Sequence, residues 1–232
     1  MSDPLHDAWR RCRQAIDDVA GPGRRVVLVA ASKAQPLARV RALAAAGQRD
    51  FGENYVQEAL ARIAGCADLD LVWHFIGPLQ SNKAREVARH FDWLHSLDRA
   101  SLLDPLDRHR PAASGPLQVL VQVNIDGEAG KAGCAPQDVA ALADAVAARP
   151  HLRLRGLMAI PRPDPDPARR RAAFAAMAAL FAELRTRHPE ADTLSMGMSE
   201  DWPLAVAEGA TLVRIGSALF GPRPAKAAAA PD

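Results

Sequence analysis

A lysine at the end of an apolar run is the first residue in this chain with chemistry to offer. Lys33 closes the segment Arg25-Val26-Val27-Leu28-Val29-Ala30-Ala31-Ser32-Lys33, which reads as a strand delivering an amine to its C-terminal tip. An amine nucleophile must be neutral, and low-dielectric surroundings disfavour the ammonium, so a lysine at a partly buried strand end is placed to condense with an aldehyde. The plainer reading is a side chain that snorkels to water from the end of an ordinary strand. Two later segments bear on that choice. Ser195-Met196-Gly197-Met198-Ser199 and Arg214-Ile215-Gly216-Ser217 each set a glycine and a hydroxyl just beyond an apolar run. Gly197 and Gly216 let backbone N–H groups approach an anion, and Ser199 and Ser217 add hydroxyl donors. Taken singly, each is an ordinary turn. As a pair opposite a strand-one lysine they outline an anion cradle facing an amine.

The elements that must position these groups alternate with regularity. Strand-like segments cover residues 26–31, 49–52, 71–76, 93–96, 117–125, 152–160, 193–196 and 211–215. Helical segments follow the first seven at 37–46, 55–63, 81–90, 100–108, 136–148, 167–187 and 201–208, and 218–220 offers a further helix start after the last. Residues 3–19 read as an extra N-terminal helix. About eight β-then-α units in this length fit a single-domain α/β protein of the (β/α)₈ TIM-barrel class. The competitor is a doubly wound open sheet, which usually carries a glycine-rich fingerprint after its first strand, where this chain has Ser32-Lys33. A barrel domain over residues 1–223 is expected, with the Ala/Pro-rich residues 224–232 as a frayed tail. In a barrel the active face is the C-terminal end of the strands, and phosphate commonly sits on the loops after strands seven and eight. The Pro-rich residues 161–167 form a stiff loop there and a candidate lid.

Composition bounds the setting. A chain of 232 residues can be one large domain. The formal net charge of +2, with no basic run interleaved with aromatics, gives no sign of nucleic acid. The three cysteines, Cys12, Cys66 and Cys134, form neither a disulfide framework nor a CxxC pair, which suits a reducing cytosol. No signal-peptide pattern and no apolar run long enough to span a bilayer are present. The expectation is a soluble, cytoplasmic protein with no metal. Among the seven histidines there is no HExxH pair, and His90 with His95 reads as flanking a short strand. Neither a GxSxG elbow nor a Walker loop occurs. Gly127-Glu128-Ala129-Gly130-Lys131-Ala132-Gly133 lacks the GKS/T ending and reads as the loop after strand five, where Lys131 adds positive charge at the mouth.

Longer ordered segments carry a resemblance. They are Val29-Ala30-Ala31-Ser32-Lys33, Phe51-Gly52-Glu53-Asn54-Tyr55-Val56-Gln57-Glu58, Trp73-His74-Phe75-Ile76-Gly77-Pro78-Leu79-Gln80-Ser81-Asn82-Lys83, Arg155-Gly156-Leu157-Met158-Ala159-Ile160, Leu194-Ser195-Met196-Gly197-Met198-Ser199-Glu200-Asp201 and Val213-Arg214-Ile215-Gly216-Ser217-Ala218-Leu219-Phe220-Gly221. Over nearly its whole length the chain resembles the pyridoxal phosphate homeostasis proteins, single-domain relatives of the barrel domain of alanine racemase. The resemblance implies that Lys33 holds pyridoxal 5′-phosphate as a Schiff base, that Ser199, Gly216 and Ser217 grip its phosphate, and that Arg214 faces its pyridine nitrogen. Asn54, His74 and Met196 complete the implied cofactor-binding set. Ala34 and Trp202-Pro203 depart from the family pattern without touching a proposed ligand.

Each assignment has an alternative in the residues themselves. Arg214 is either that ring partner or a structural partner of a carboxylate such as Glu208. Asn54 either bonds the cofactor or caps the helix that follows. His74, on an alternating strand between Trp73 and Phe75, either points into the barrel mouth near Lys33 or is a satisfied core histidine. Two function classes follow from the resemblance. One is a protein that stores, buffers or delivers pyridoxal phosphate to apoenzymes, without turnover and as a monomer. The other is a pyridoxal-phosphate amino-acid racemase, in which Lys33 becomes one acid–base group and the sole tyrosine, Tyr55, must serve on the opposite face. A Schiff-base aldolase on the same barrel is a third, more distant reading.

Overall fold

The apolar runs pair edge to edge until the sheet closes on itself. In the computed structural model, which describes residues 3–221, the strands are β1 (Val27–Ala31), β2 (Asp50–Glu53), β3 (Val72–Phe75), β4 (Trp93–Leu97), β5 (Leu117–Val123), β6 (Leu152–Ala159), β7 (Thr193–Ser195) and β8 (Leu212–Ile215). They form a closed barrel in sequence order, every pair parallel, with β8 returning to β1. Helix α1 (Pro4–Ala20) precedes the barrel. Then α2 (Leu37–Ala45), α3 (Val56–Ala64), α4 (Ala84–His90), α5 (Leu103–His109), α6 (Val139–Ala147), α7 (Pro167–Arg187), α8 (Trp202–Ala207) and α9 (Ser217–Phe220) follow the successive strands. The fold is therefore the (β/α)₈ barrel, and the open-sheet competitor is excluded by closure. The expected tail, 224–232, lies outside the described residues.

Strands buried on both faces read as nearly continuous apolar runs, as β5 does in Leu117-Gln118-Val119-Leu120-Val121-Gln122-Val123. The outward set packs under the helices, with Phe51 against Trp73 and Phe75 against Phe91 at ring-centroid distances of 5.7 and 5.3 Å. The inward set is smaller and mixed in character. Val29, Ile76, Leu120, Met158 and Leu212 are buried apart from the outer core, and they share the interior with His74, His95, Ser195 and Arg214. Helix α1 opens on an Asp3 cap that accepts from the Leu5 amide at 2.9 Å. It is tied to the wall through Trp9, whose Nε1 donates to Gln48 Oε1 at 2.9 Å while Gln48 Nε2 donates to the Leu28 and Asp50 carbonyls, each at 2.6 Å.

Boundaries move where local chemistry intervenes. The expected strand 117–125 stops at Val123 because Asn124 folds back, its side chain donating to the Glu128 carbonyl and accepting from the Glu128 amide. The expected helices 81–90 and 136–148 each begin as a 3₁₀ turn before continuing as α4 and α6. Among the described residues no helix is long and apolar enough to cross a membrane.

Register shifts once between β5 and β6. Val119 pairs Leu154 but Leu120 pairs Gly156, so Arg155 is the extra residue of a bulge. Gly156 sits there at φ +141, and a Cβ on it would lie 2.0 Å from the Thr193 carbonyl oxygen. Gly156→Ala is expected to lower unfolding free energy by about 3 kcal/mol in a denaturant titration, through backbone displacement between β6 and β7.

Candidate functional site

Side-chain alternation along the strands sorts the barrel interior into two levels. On β1 the inward residues are Val27, at a lower cavity by the strand starts, and Ala31, at a larger upper cavity by the strand ends. Lys33 continues that parity two residues beyond Ala31 and lines the upper cavity. This cavity, of about 670 Å³, brings Lys33, Asn54, Ser199, Arg214, Gly216 and Ser217 together. Its volume suits a small cofactor. Pro161, Pro163, Asp164 and Pro165 border it, so the stiff loop after β6 lies at the mouth.

The turn carrying Lys33 is pinned from behind. Ser32 Oγ donates to Glu53 Oε1 at 2.6 Å, and the same carboxylate accepts from Arg62 Nε at 2.7 Å and Nη2 at 2.8 Å. Arg62 Nη1 donates to the Gln35 carbonyl at 3.3 Å. One buried carboxylate and its guanidinium thus hold the chain on both sides of Lys33. Ala34 adopts the left-handed region at φ 60, a conformation costing a residue with a Cβ about 1 kcal/mol, and this network is what keeps it there. The Lys33 amine stands 5.0 Å from the centroid of the Tyr55 ring. Asn54 lines the cavity and does not cap α3, whose N-cap is Tyr55 with no side-chain bond.

The loops after β7 and β8 lie beside Lys33 and not opposite it, because β8 pairs directly with β1, and they are joined: the Gly216 amide donates to Ser199 Oγ at 3.3 Å. Gly197, at φ +93, lets α8 approach so closely that a Cβ would meet Ala205 Cβ at 2.6 Å and Trp202 Cα at 2.9 Å. Asp201 Oδ1 accepts from the Met198 amide at 2.7 Å and sets the turn. Arg214, only 4% exposed, donates through Nη1 to Ser195 Oγ at 2.6 Å and through Nη2 to the Ala159 carbonyl at 3.0 Å. Burial pushes its pKa down to about 10, opposed by the charge of Asp201, so it stays a cation at neutral pH. Glu208, the alternative partner, is taken by Arg171 at 2.5 Å.

This arrangement has relatives. A family model described as alanine racemase, N-terminal domain, matches residues 6–224. A pyridoxal phosphate homeostasis protein of Pseudomonas aeruginosa is 54% identical over 213 residues, covering 92% of this chain and 91% of that one. This chain is a member of the pyridoxal phosphate homeostasis protein family. The Escherichia coli K12 protein of the same name is 47% identical over 226 residues, covering 96% and 94%. Among solved structures, PipY of Synechococcus elongatus with PLP bound superposes with a TM-score of 0.83 at 41% identity, covering 94% of this chain and all of that one.

Within this homeostasis-family barrel, two expected site residues fall elsewhere. His74 does face inward, but at the wrong level. Register pairs it with Gly52, itself paired with Ala31, and it lines the lower cavity, whereas Lys33 lines the upper one. There it is 1% exposed, stacked on Trp93 and bonded to Asp50 and His95. Met196 follows inward-facing Ser195, so alternation turns it outward into the core beneath the helices. Met198, two residues on, reaches the cavity instead. Lys131 pairs with Glu128 and does not line the cavity. His95 does not flank a strand but sits inside β4, wholly buried. Gln35 and Arg170 also line the cavity and were not singled out, because neither belongs to a motif.

Removing the carboxylate behind Lys33 leaves Arg62 and Ser32 without their partner. Glu53→Ala is expected to lower stability by about 3–5 kcal/mol in equilibrium denaturation, the penalty for breaking a buried ion pair one-sidedly.

Proposed function

We propose that this chain binds pyridoxal 5′-phosphate covalently through Lys33 and serves its homeostasis in the cytoplasm, storing, buffering or delivering the cofactor to apoenzymes without a turnover of its own. One observation carries the reading: an amine after β1 and an anion cradle after the neighbouring strands β7 and β8 open into a single cavity. The residues fit the group. Gln35 Oε1 is buried with no hydrogen-bond partner among the described residues, and Arg214 is a buried cation with no carboxylate within ion-pairing distance. The Gln35 oxygen is hydrogen-bonding capacity that the protein alone leaves unspent, whereas the Arg214 guanidinium already donates to Ser195 and Ala159 and offers the cavity its charge. The PLP-bound relative at 41% identity supports the same assignment.

Ser199, Gly216 and Ser217 would hold the phosphate by hydroxyl and backbone N–H donors, and Asn54 lies within the same cavity wall. When bound, the cofactor supplies an aldehyde and an electron-withdrawing ring. Arg214 bears on what that ring can do. A guanidinium only donates, so beside the ring nitrogen it keeps that nitrogen unprotonated and weakens the electron sink that turnover needs. Tyr55, the sole tyrosine, packs against the Lys33 amine and does not line the cavity, so it is not set as an acid–base group across the ring. Both observations favour holding over racemisation. Burial pushes the thiols of Cys12 and Cys134 up to about 11, keeping them protonated and slow to exchange, as a reducing compartment allows.

The test is a visible spectrum of the purified protein loaded with pyridoxal phosphate, then borohydride reduction and peptide mass mapping. A yellow species with its reduced adduct on Lys33, lost in Lys33→Ala, and no racemisation of amino acids, is the expected outcome. A colourless protein, or an adduct scattered over surface lysines, would sink the binding claim. Measurable racemisation dependent on Lys33 would replace the carrier with an enzyme.

A further inference from the structure

Below Arg214 a file of polar side chains crosses the barrel interior. Arg214 Nη1 reaches Ser195 Oγ at 2.6 Å, and Ser195 Oγ lies 3.1 Å from His95 Nδ1. His95 Nε2 is 2.9 Å from His74 Nδ1, and His74 Nε2 is 3.1 Å from Asp50 Oδ1. Ser195 and His95 are 0% exposed and His74 is 1% exposed, whereas the Asp50 side chain is 29% exposed and lines the lower cavity. The file therefore joins the two cavities, from the strand starts to the strand ends. Barrel interiors are normally filled by branched apolar side chains. Four polar groups in their place would be a costly filling unless each is satisfied.

Hydrogen-bond accounting gives the file a direction. A guanidinium has no acceptor, so Arg214 must donate to Ser195 Oγ. The Ser195 hydroxyl proton then needs an acceptor, and among the described residues its other partner is His95 Nδ1. That leaves the His95 proton on Nε2, which donates to His74 Nδ1. His74 in turn carries its proton on Nε2 and donates to the Asp50 carboxylate. Every member donates once to the next, and both rings are neutral. Burial, with the nearby His74 and Arg214, holds the pKa of His95 well below the ordinary imidazole value, which agrees with a neutral ring at that point.

We propose that Ser195, His95, His74 and Asp50 are positioning residues for Arg214, a one-way hydrogen-bond chain that fixes how the guanidinium presents itself to a ligand in the upper cavity. This rests on the reading that the ligand is pyridoxal phosphate. His74 then acts on the site from below, through another residue, and not by contact.

The chain's direction is tested on cofactor-free, ¹⁵N-labelled protein by the ring-nitrogen shifts of His74 and His95. Both rings are expected with a protonated Nε2 and a bare Nδ1. A protonated Nδ1 on either ring overturns the chain. The positioning role is tested on the loaded protein. Ser195→Ala is expected to retain pyridoxal phosphate about tenfold more weakly, the scale of one lost hydrogen bond to a charged group, and to shift the visible band, with Ser195→Thr restoring both. Unchanged retention and an unchanged band in Ser195→Ala would overturn it. If the wild-type protein takes up no pyridoxal phosphate, the cofactor reading itself has failed, and the nitrogen shifts still judge the chain.

Discussion

Placing the Arg214 guanidinium inside a closed parallel barrel is the constraint around which the rest of the interior is arranged. Even after relaxation, a buried cation carries a desolvation penalty of several kcal/mol. Here no carboxylate pairs with it directly, and the charge of Asp201 offsets the penalty only from a distance. The direct compensation is made of dipoles: the Ser195 hydroxyl and the Ala159 carbonyl, at 2.6 and 3.0 Å. Dipoles of this kind work only if they cannot turn away. Ser195 is fixed by its strand and by His95, and Ala159 by the β5–β6 ladder. The polar interior and the closed sheet thus depend on each other.

Two layers divide the work. Outside the strands, aromatic and aliphatic side chains fill the space under the helices and close the barrel, a task that tolerates many apolar combinations. Inside, from Arg214 down to Asp50, each polar side chain has a partner. The same division recurs at the Lys33 turn, where Glu53 and Arg62 form a buried pair on the outer side of the wall while the lysine projects to the inner side. The amine is therefore held by contacts that never touch what it would bind. That separation is how a site stays in place before a ligand arrives.

The chemistry of the cavity follows from donor counts more than from shape. The cradle of Ser199, Gly216 and Ser217 offers neutral donors, Lys33 offers an amine, and Arg214 offers a cation that cannot accept a proton back. Such a set is compatible with the proposed grip on a phosphorylated aldehyde, and a guanidinium set beside the ring nitrogen would weaken that ring as an electron sink. Membership of the pyridoxal phosphate homeostasis family, through relatives 47–54% identical, agrees with that balance.

The alternation of apolar runs and helical periods was sufficient to predict the barrel, because a strand buried on both faces and the helix that covers it leave a local pattern in the chain. Lys33, Ser199, Gly216 and Ser217 were legible for the same reason, each lying just beyond an apolar run, whereas Asn54 follows the mixed strand Asp50–Glu53 and Arg214 lies within β8, so their roles came from the family resemblance. Depth was not legible. His74 has the right parity, but only the pairing of β1, β2 and β3 shows that it sits beside Ala31 and not beside Lys33. Met196 was misplaced because the expected strand 193–196 gives no sign of which of its alternate residues turn inward, whereas Ser195 on the barrel interior settles it. The Asp50, His74, His95, Ser195 and Arg214 file joins five strands across 164 residues of sequence, and no local signal connects them. Hydrogen bonds at that separation exist only once the sheet has closed, so the sequence determined which groups are available and the tertiary structure decided which of them meet.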